Sequence, residues 1–218
     1  MSKKALIFQG GWQGHEPEEV AQILAEILRG AEFDVEITDT LETLEDEERL
    51  LSLDLIIPNW TQGQITKNQL EPLMKAVEAG CGLAGLHGGM GDSFRMATDY
   101  QFMVGGQWVA HPGNDGVEYT VRILDPSHPL TEGFETFQVV SEQYYMHVDP
   151  AVRVHAVTRF PVADGPHAAN GEVDMPVIWT KTWGKGKVYY NSLGHVANIV
   201  RMPEVTELMR RGMLWAAR

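Results

Sequence analysis

Through the first half of the chain, short apolar runs alternate with amphipathic helical stretches, and this alternation constrains the fold more than any other feature. Runs at 5–8, 33–37, 53–57 and 82–86 read as four strands. Between the first two, Val20, Ile23, Leu24, Ile27 and Leu28 share one helical face by the i, i+3, i+4, i+7 spacing, with Gly30 placed as the C-cap. A second helix opens with Thr66 and Gln69 in a capping box, turns Leu70, Leu73, Met74 and Val77 inward, and stops at Gly80. Strands joined by crossover helices lie parallel in one sheet. The second half reads differently, with strand-like runs at 117–124, 137–140, 153–158, 177–182 and 187–191 and a helical pattern only at 204–217. Trp183-Gly184-Lys185-Gly186 marks a hairpin, so antiparallel strands are expected to extend the parallel core. The expected class is α/β, with a mostly parallel central sheet and antiparallel additions in the second half.

At 218 residues and 44% hydrophobic content, with no Ser-, Pro- or Gly-rich linker, the chain is expected to form a single domain over 1–218. A net charge of -13 without a Lys/Arg cluster argues against nucleic acid or an anionic membrane as partner, since both need a basic face. Neither a secretory leader nor a bilayer-length apolar stretch is visible, which gives a cytoplasmic expectation. The single cysteine rules out an internal disulfide framework.

Chemistry concentrates at strand ends. His87, in Gly85-Leu86-His87-Gly88-Gly89, follows the fourth strand where an open α/β sheet presents a reactive side chain, as a nucleophile elbow presents Ser or Cys. An imidazole there is a proton carrier or metal ligand rather than an attacking nucleophile. His15 follows the first strand through a glycine-rich turn, and His195 follows the last strand in Ser192-Leu193-Gly194-His195. Three imidazoles can therefore meet at one sheet edge, and His111, between a glycine pair and Pro112, is a candidate fourth. No His-Glu-x-x-His spacing occurs, so a metal site would be built from distant segments. His128 reads as part of a turn, and His147, His155 and His167 as lying in or near exposed segments. Glu142, at the end of the 137–140 strand, is the candidate carboxylate, for use as general base, metal ligand or histidine orienter; Tyr144 beside it suits a sugar ring. Trp60, past the third strand, is a candidate pocket floor. Cys81 precedes its strand and so lies about 20 Å of extended chain from the His87 end, and no Gly-x-Ser-x-Gly is present, so serine and cysteine acyl transfer are disfavoured.

These segments together resemble the trehalose-utilization family, the ThuA-like proteins, whose fold is similar to the class I glutamine amidotransferases. The resemblance rests on the His15 and His87 segments, Gly105-Gly106 with His111-Pro112, Asp125 with His128-Pro129-Leu130-Thr131-Glu132-Gly133, Glu142 with Tyr144, Pro176-Val177-Ile178-Trp179, and Gly184-Lys185-Gly186-Lys187-Val188 running to His195. It implies a flavodoxin-like three-layer sandwich and a role in carbohydrate catabolism, on oxidised (keto) sugars handled alongside a sugar dehydrogenase partner. The leading expectation is an enzyme acting on a sugar or keto-sugar by hydrolysis, elimination or isomerisation, without a Ser or Cys nucleophile. His87, His195 and Glu142 are its candidate catalytic groups, and Tyr144, Trp60 and His111 its candidate substrate contacts. In one version His15, His87, His111 or His195 hold a divalent metal, the one candidate cofactor; in the other they form a metal-free acid/base pocket. The rival reading is a non-catalytic sugar-binding or regulatory subunit on a degenerate amidotransferase fold. A homo-oligomer is expected only as the common state of such acidic α/β proteins.

Overall fold

Leu6, Ile7 and Phe8 are all fully buried, with none of the in-out alternation of a half-exposed strand, because the sheet around them is covered on both faces. The computed structural model describes residues 2–218. Its strands are β1 (Lys4–Gly11), β2 (Asp34–Thr38), β3 (Leu55–Thr61), β4 (Gly82–Leu86), β5 (Gly106–Ala110), β6 (Val117–Ile123), β7 (Phe137–Ser141), β8 (Tyr145–Val148), β9 (Arg153–Phe160), β10 (Val173–Trp183) and β11 (Gly186–Asn191). Its α-helices are α1 (Pro17–Gly30), α2 (Glu47–Leu51), α3 (Lys67–Ala79), α4 (His87–Gly91), α5 (Thr98–Val104), α6 (Ala197–Val200) and α7 (Pro203–Ala216).

Nine strands form one sheet in the order β2-β1-β3-β4-β11-β10-β9-β6-β7, while β5 and β8 form a separate ribbon. The first five in that order run parallel, and each of the last four reverses its neighbour. Four reversals return β7 to the direction of β11, so the carboxyl ends of β1, β3, β4, β11 and β7 all open on the same edge. On one face α1 and α7 pack Val20, Leu24, Leu28, Leu208 and Met213 against Ile7 and Ile57. On the other, α3 and α5 pack Leu73, Val77, Tyr100 and Met103 against Leu6, Phe8, Ile56 and Leu83. This is the three-layer α/β arrangement with antiparallel additions that the sequence predicts.

Three expectations are corrected in detail. Gly30 is the last residue of α1 rather than its cap: Ala31 is the cap and Glu32 takes the left-handed conformation, with φ 64°. Phe33 N–H bonds Leu28 O and Glu32 N–H bonds Arg29 O, a Schellman closure placed where it buries Phe33 against the helix. His155 is buried, in β9, because its ring points inward toward Thr180 of β10. The segment 98–110 holds α5 and β5, neither of which is assigned from the sequence. The capping box on α3 is present, with Thr66 N–H donating to Gln69 Oε1 at 3.0 Å, and Gly80 ends the helix at φ 122°.

Candidate functional site

Each histidine of the sheet edge is delivered by a different loop. β4 ends at Leu86 and α4 begins at His87, which sits at φ 43° in the left-handed region, the sharp strand-to-helix turn that lifts a side chain off the sheet edge. The two glycines after it are sterically required: a Cβ on Gly88 would lie 2.5 Å from the His15 ring, and one on Gly89 would lie 2.6 Å from the Asn59 side chain. His15 closes a short 3-10 turn after β1, and His195 follows Gly194 after β11. Glu142 follows β7 and is held by its neighbours. Tyr119 hydroxyl donates to its carbonyl at 2.9 Å, and the buried Gln143 amide donates to Thr158 Oγ1 and Arg159 O, both at 2.9 Å, while accepting from Val162 N–H.

Four ligand atoms, one each from His15, His87, Glu142 and His195, lie within 4.8 Å of one another, and all four residues are buried. Glu142 Oε2 is the hub: His87 Nε2 stands 3.1 Å from it, His195 Nδ1 3.3 Å and His15 Nε2 3.9 Å. The opposite ring nitrogens of two of these histidines are occupied outward. His87 Nδ1 meets Ser192 O at 2.7 Å, and because a carbonyl only accepts, that nitrogen carries the proton. His15 Nδ1 meets Thr61 Oγ1 at 2.8 Å. Tyr144 stacks on the His87 ring at 3.9 Å between centroids, and Tyr190 hydroxyl donates to His87 O.

The electrostatics follow from this packing. Burial disfavours the Glu142 charge, but the imidazoles of His15, His195 and His87 outweigh it and hold the carboxyl well below the usual range, so Glu142 is ionised. Burial lowers His87 to about 4 against the opposing pull of Glu142, so near neutral pH its single proton is the one given to Ser192. With that proton at Nδ1, the Nε2 lone pair faces Glu142 Oε2 at 3.1 Å, a meeting of two acceptors that a shared proton or a bound cation relieves. At His195 burial acts downward, but the Glu142 contact and charge prevail and raise it.

His111 reaches the cluster from the end of β5, its Nδ1 3.8 Å from Glu142 Oε1, and is less buried than the other three. His111 Nδ1, His195 Nδ1 and Trp108 Nε1 are buried without a hydrogen-bond partner. The structure thus brings His15, His87, His111, His195, Glu142 and Tyr144 together. It does not bring Trp60, whose ring packs against Gly10 and Gly63; alternation along β3 places Thr61, not Trp60, toward His15. Cys81 is buried and burial pushes its thiol up to about 12, consistent with an inert cysteine.

The sequence reading gives no supporting role to Thr61, Ser192, Tyr119 or Gln143. Only Thr61 had a usable signal there, its parity with Asn59 along an extended third strand. The carbonyl of Ser192 carries no sequence signature at all.

The chain matches the ThuA family, described as trehalose utilisation, over residues 4–216. Among solved structures it is similar to a ThuA-like protein from Bacteroides uniformis, with TM-score 0.79 and 18% identity over 98% of this chain and 91% of that one. A ThuA-like protein from Parabacteroides merdae gives TM-score 0.77 and 16% identity over 99% and 90% of the two chains. A cytoplasmic protein of Salmonella typhimurium gives 0.70 and 13% over 99% and 100%. At these identities the likeness is one of fold. No curated protein matches the sequence significantly. Among the described residues, no helix is long and apolar enough to cross a membrane.

Proposed function

We propose that this chain, which belongs to the ThuA family of trehalose utilisation, is a divalent-metal-dependent enzyme acting on a sugar or keto-sugar. Family membership implies the role in carbohydrate metabolism; the chemistry is inferred from the site. The observation that carries it is the convergence of His87 Nε2, His195 Nδ1 and His15 Nε2 on one buried carboxylate oxygen, with two of the rings tied off at their other nitrogen. Metal-binding imidazoles are oriented in this way, by a hydroxyl or carbonyl holding the far N–H.

Three imidazole nitrogens and a carboxylate oxygen suit a first-row transition ion better than magnesium or calcium, which prefer all-oxygen sites. His15, His87, Glu142 and His195 would hold it. When bound, such an ion polarises a carbonyl or activates water. The surrounding residues have separate tasks. Ser192 O fixes the tautomer of His87, and Thr61 Oγ1, which can donate or accept, holds the orientation of the His15 ring. Tyr144, stacked on His87, keeps that ring from tilting. His111, with an unpartnered Nδ1 and an open side, is placed to exchange a proton with a sugar oxygen, work that supplies on the order of 10²–10⁴ in rate. Hydrolysis, elimination and isomerisation all need such a proton carrier beside a polarised oxygen.

The test is turnover of trehalose, simple glucosides and their 3-keto forms by tag-free protein, before and after chelation and with zinc, manganese, cobalt or nickel restored. Turnover that chelation abolishes and one ion restores supports the proposal. Turnover indifferent to chelation overturns the metal, and binding without turnover of any of these sugars overturns the enzyme in favour of a sugar-binding subunit.

A further inference from the structure

Trp12 is one of the few large apolar side chains left open, 48% exposed, and it is the one that touches the histidine cluster. Its ring centroid lies 4.7 Å from that of His15 at 76°, a T-shaped contact with a residue that itself contacts His87 and His195. The ring does not swing freely. Gly14 lies against its benzo edge so closely that a Cβ there would be 2.5 Å from the indole. The backbone below is pinned by Trp12 N–H donating to Thr61 O at 3.2 Å, and by Gly11, where a Cβ would run into the Thr61 carbonyl.

An exposed indole costs hydration free energy, and a rigid one is prepaid in conformational entropy for stacking. From this placement we infer that Trp12 is the stacking platform on which a pyranose ring lies while its oxygens face the His15, His87, Glu142 and His195 cluster. A pyranose presents one face of C–H bonds and an edge of hydroxyls, which fits an aromatic face next to a polar, charged pocket. The inference rests on the sugar-directed reading above and adds the residue that holds the ring. Trp60, which the sequence offers for that task, packs instead against Gly10 and Gly63.

Calorimetric titration with trehalose and with methyl α-glucopyranoside, on wild type, Trp12→Ala, Trp12→Tyr and Phe102→Ala, tests it. Phe102 is an exposed aromatic in α5, outside the cluster, and controls for non-specific loss of apolar surface. Unchanged thermal midpoints establish that each variant is folded. The expected result is a three- to tenfold weaker affinity in Trp12→Ala, recovery to within about twofold in Trp12→Tyr, and no change in Phe102→Ala. Equal affinity of wild type and Trp12→Ala overturns the platform and leaves the sugar reading standing. Failure of wild type to bind either sugar or its 3-keto form overturns the sugar reading, and the platform with it. Adenosine binding that depends on Trp12 where the sugars show none assigns the indole to a nucleobase and also overturns the inference.

Discussion

Two groups of histidines sit in this fold, and they are built on opposite principles. At the sheet edge, His15, His87 and His195 surround the carboxylate of Glu142, and two of them have their far nitrogens fixed by a carbonyl and a hydroxyl. Between β9 and the 128 turn, buried His155 and half-buried His128 meet at 4.5 Å between ring centroids, tilted 45° to each other. His155 Nε2 meets Thr180 Oγ1, its Nδ1 is buried without a partner, and His128 Nδ1 accepts from Leu130 N–H. The difference teaches what burial alone does to imidazole. With only the weak pull of Asp125, burial makes His155 a packing group that resists protonation; around the contacting carboxylate of Glu142 it gathers three ring nitrogens on one oxygen.

Removing the hub should erase the distinction most completely. Glu142→Gln keeps size and removes charge, and is expected to weaken zinc or manganese affinity at least a hundredfold and to lower kcat by a similar factor, measured by calorimetry and by turnover. His155→Gln, by contrast, should leave both unchanged. Chelation should act on one cluster only: if the metal is present at a thousand times its Kd, its loss costs about 4 kcal/mol of stability, read as a fall in thermal midpoint that Glu142→Gln abolishes.

The second cluster predicts an acid liability. Burial, then the nearby His128 and Arg153 charges, lower His155 to about 4, against the weaker pull of Asp125. Its folded-state value lies below the unfolded one, near 6.5, so the unfolded chain binds the extra proton and stability falls as pH drops from about 6.5 toward 4. The loss is on the order of 2–3 kcal/mol at most. Urea titrations of wild type and His155→Gln between pH 7 and 4.5 check it, since the variant should show a flatter pH dependence through that window. The smallest effect belongs to the support of Glu142: Tyr119→Phe deletes the hydroxyl that donates to its carbonyl, and should cost about 1 kcal/mol in urea with metal affinity reduced only severalfold.

Periodicity made the parallel half legible, because β1, α1, β3, α3 and β4 each carry an unbroken apolar pattern and a recognisable stop. It also placed His15, His87 and His195 at one edge, since each lies at or within four residues of the carboxyl end of a strand of the same sense. Trp60 failed on parity: the third strand runs on to Thr61, and one residue of extension decides which of two neighbours faces the site. His155 failed because the same alternation is ambiguous in a strand buried on both faces, where Ala156, Val157 and Thr158 are buried beside it. The ribbon of β5 and β8 was invisible because it is short and bulged, with its register shifting between Trp108 and Ala110. Yet that ribbon carries His111 to the cluster; the glycine pair and Pro112 marked His111 as a candidate, but the pairing that delivers it is a tertiary contact.

The metal site proposed is the edge cluster and not the pair of His155 and His128. Elemental analysis of tag-free protein after dialysis against zinc and manganese, beside Glu142→Gln and His155→Gln treated identically, tests it directly. About one equivalent of a single ion is expected in wild type and in His155→Gln, and a small fraction of that in Glu142→Gln. Wild-type protein that retains no ion, or Glu142→Gln that retains as much as wild type, would contradict it.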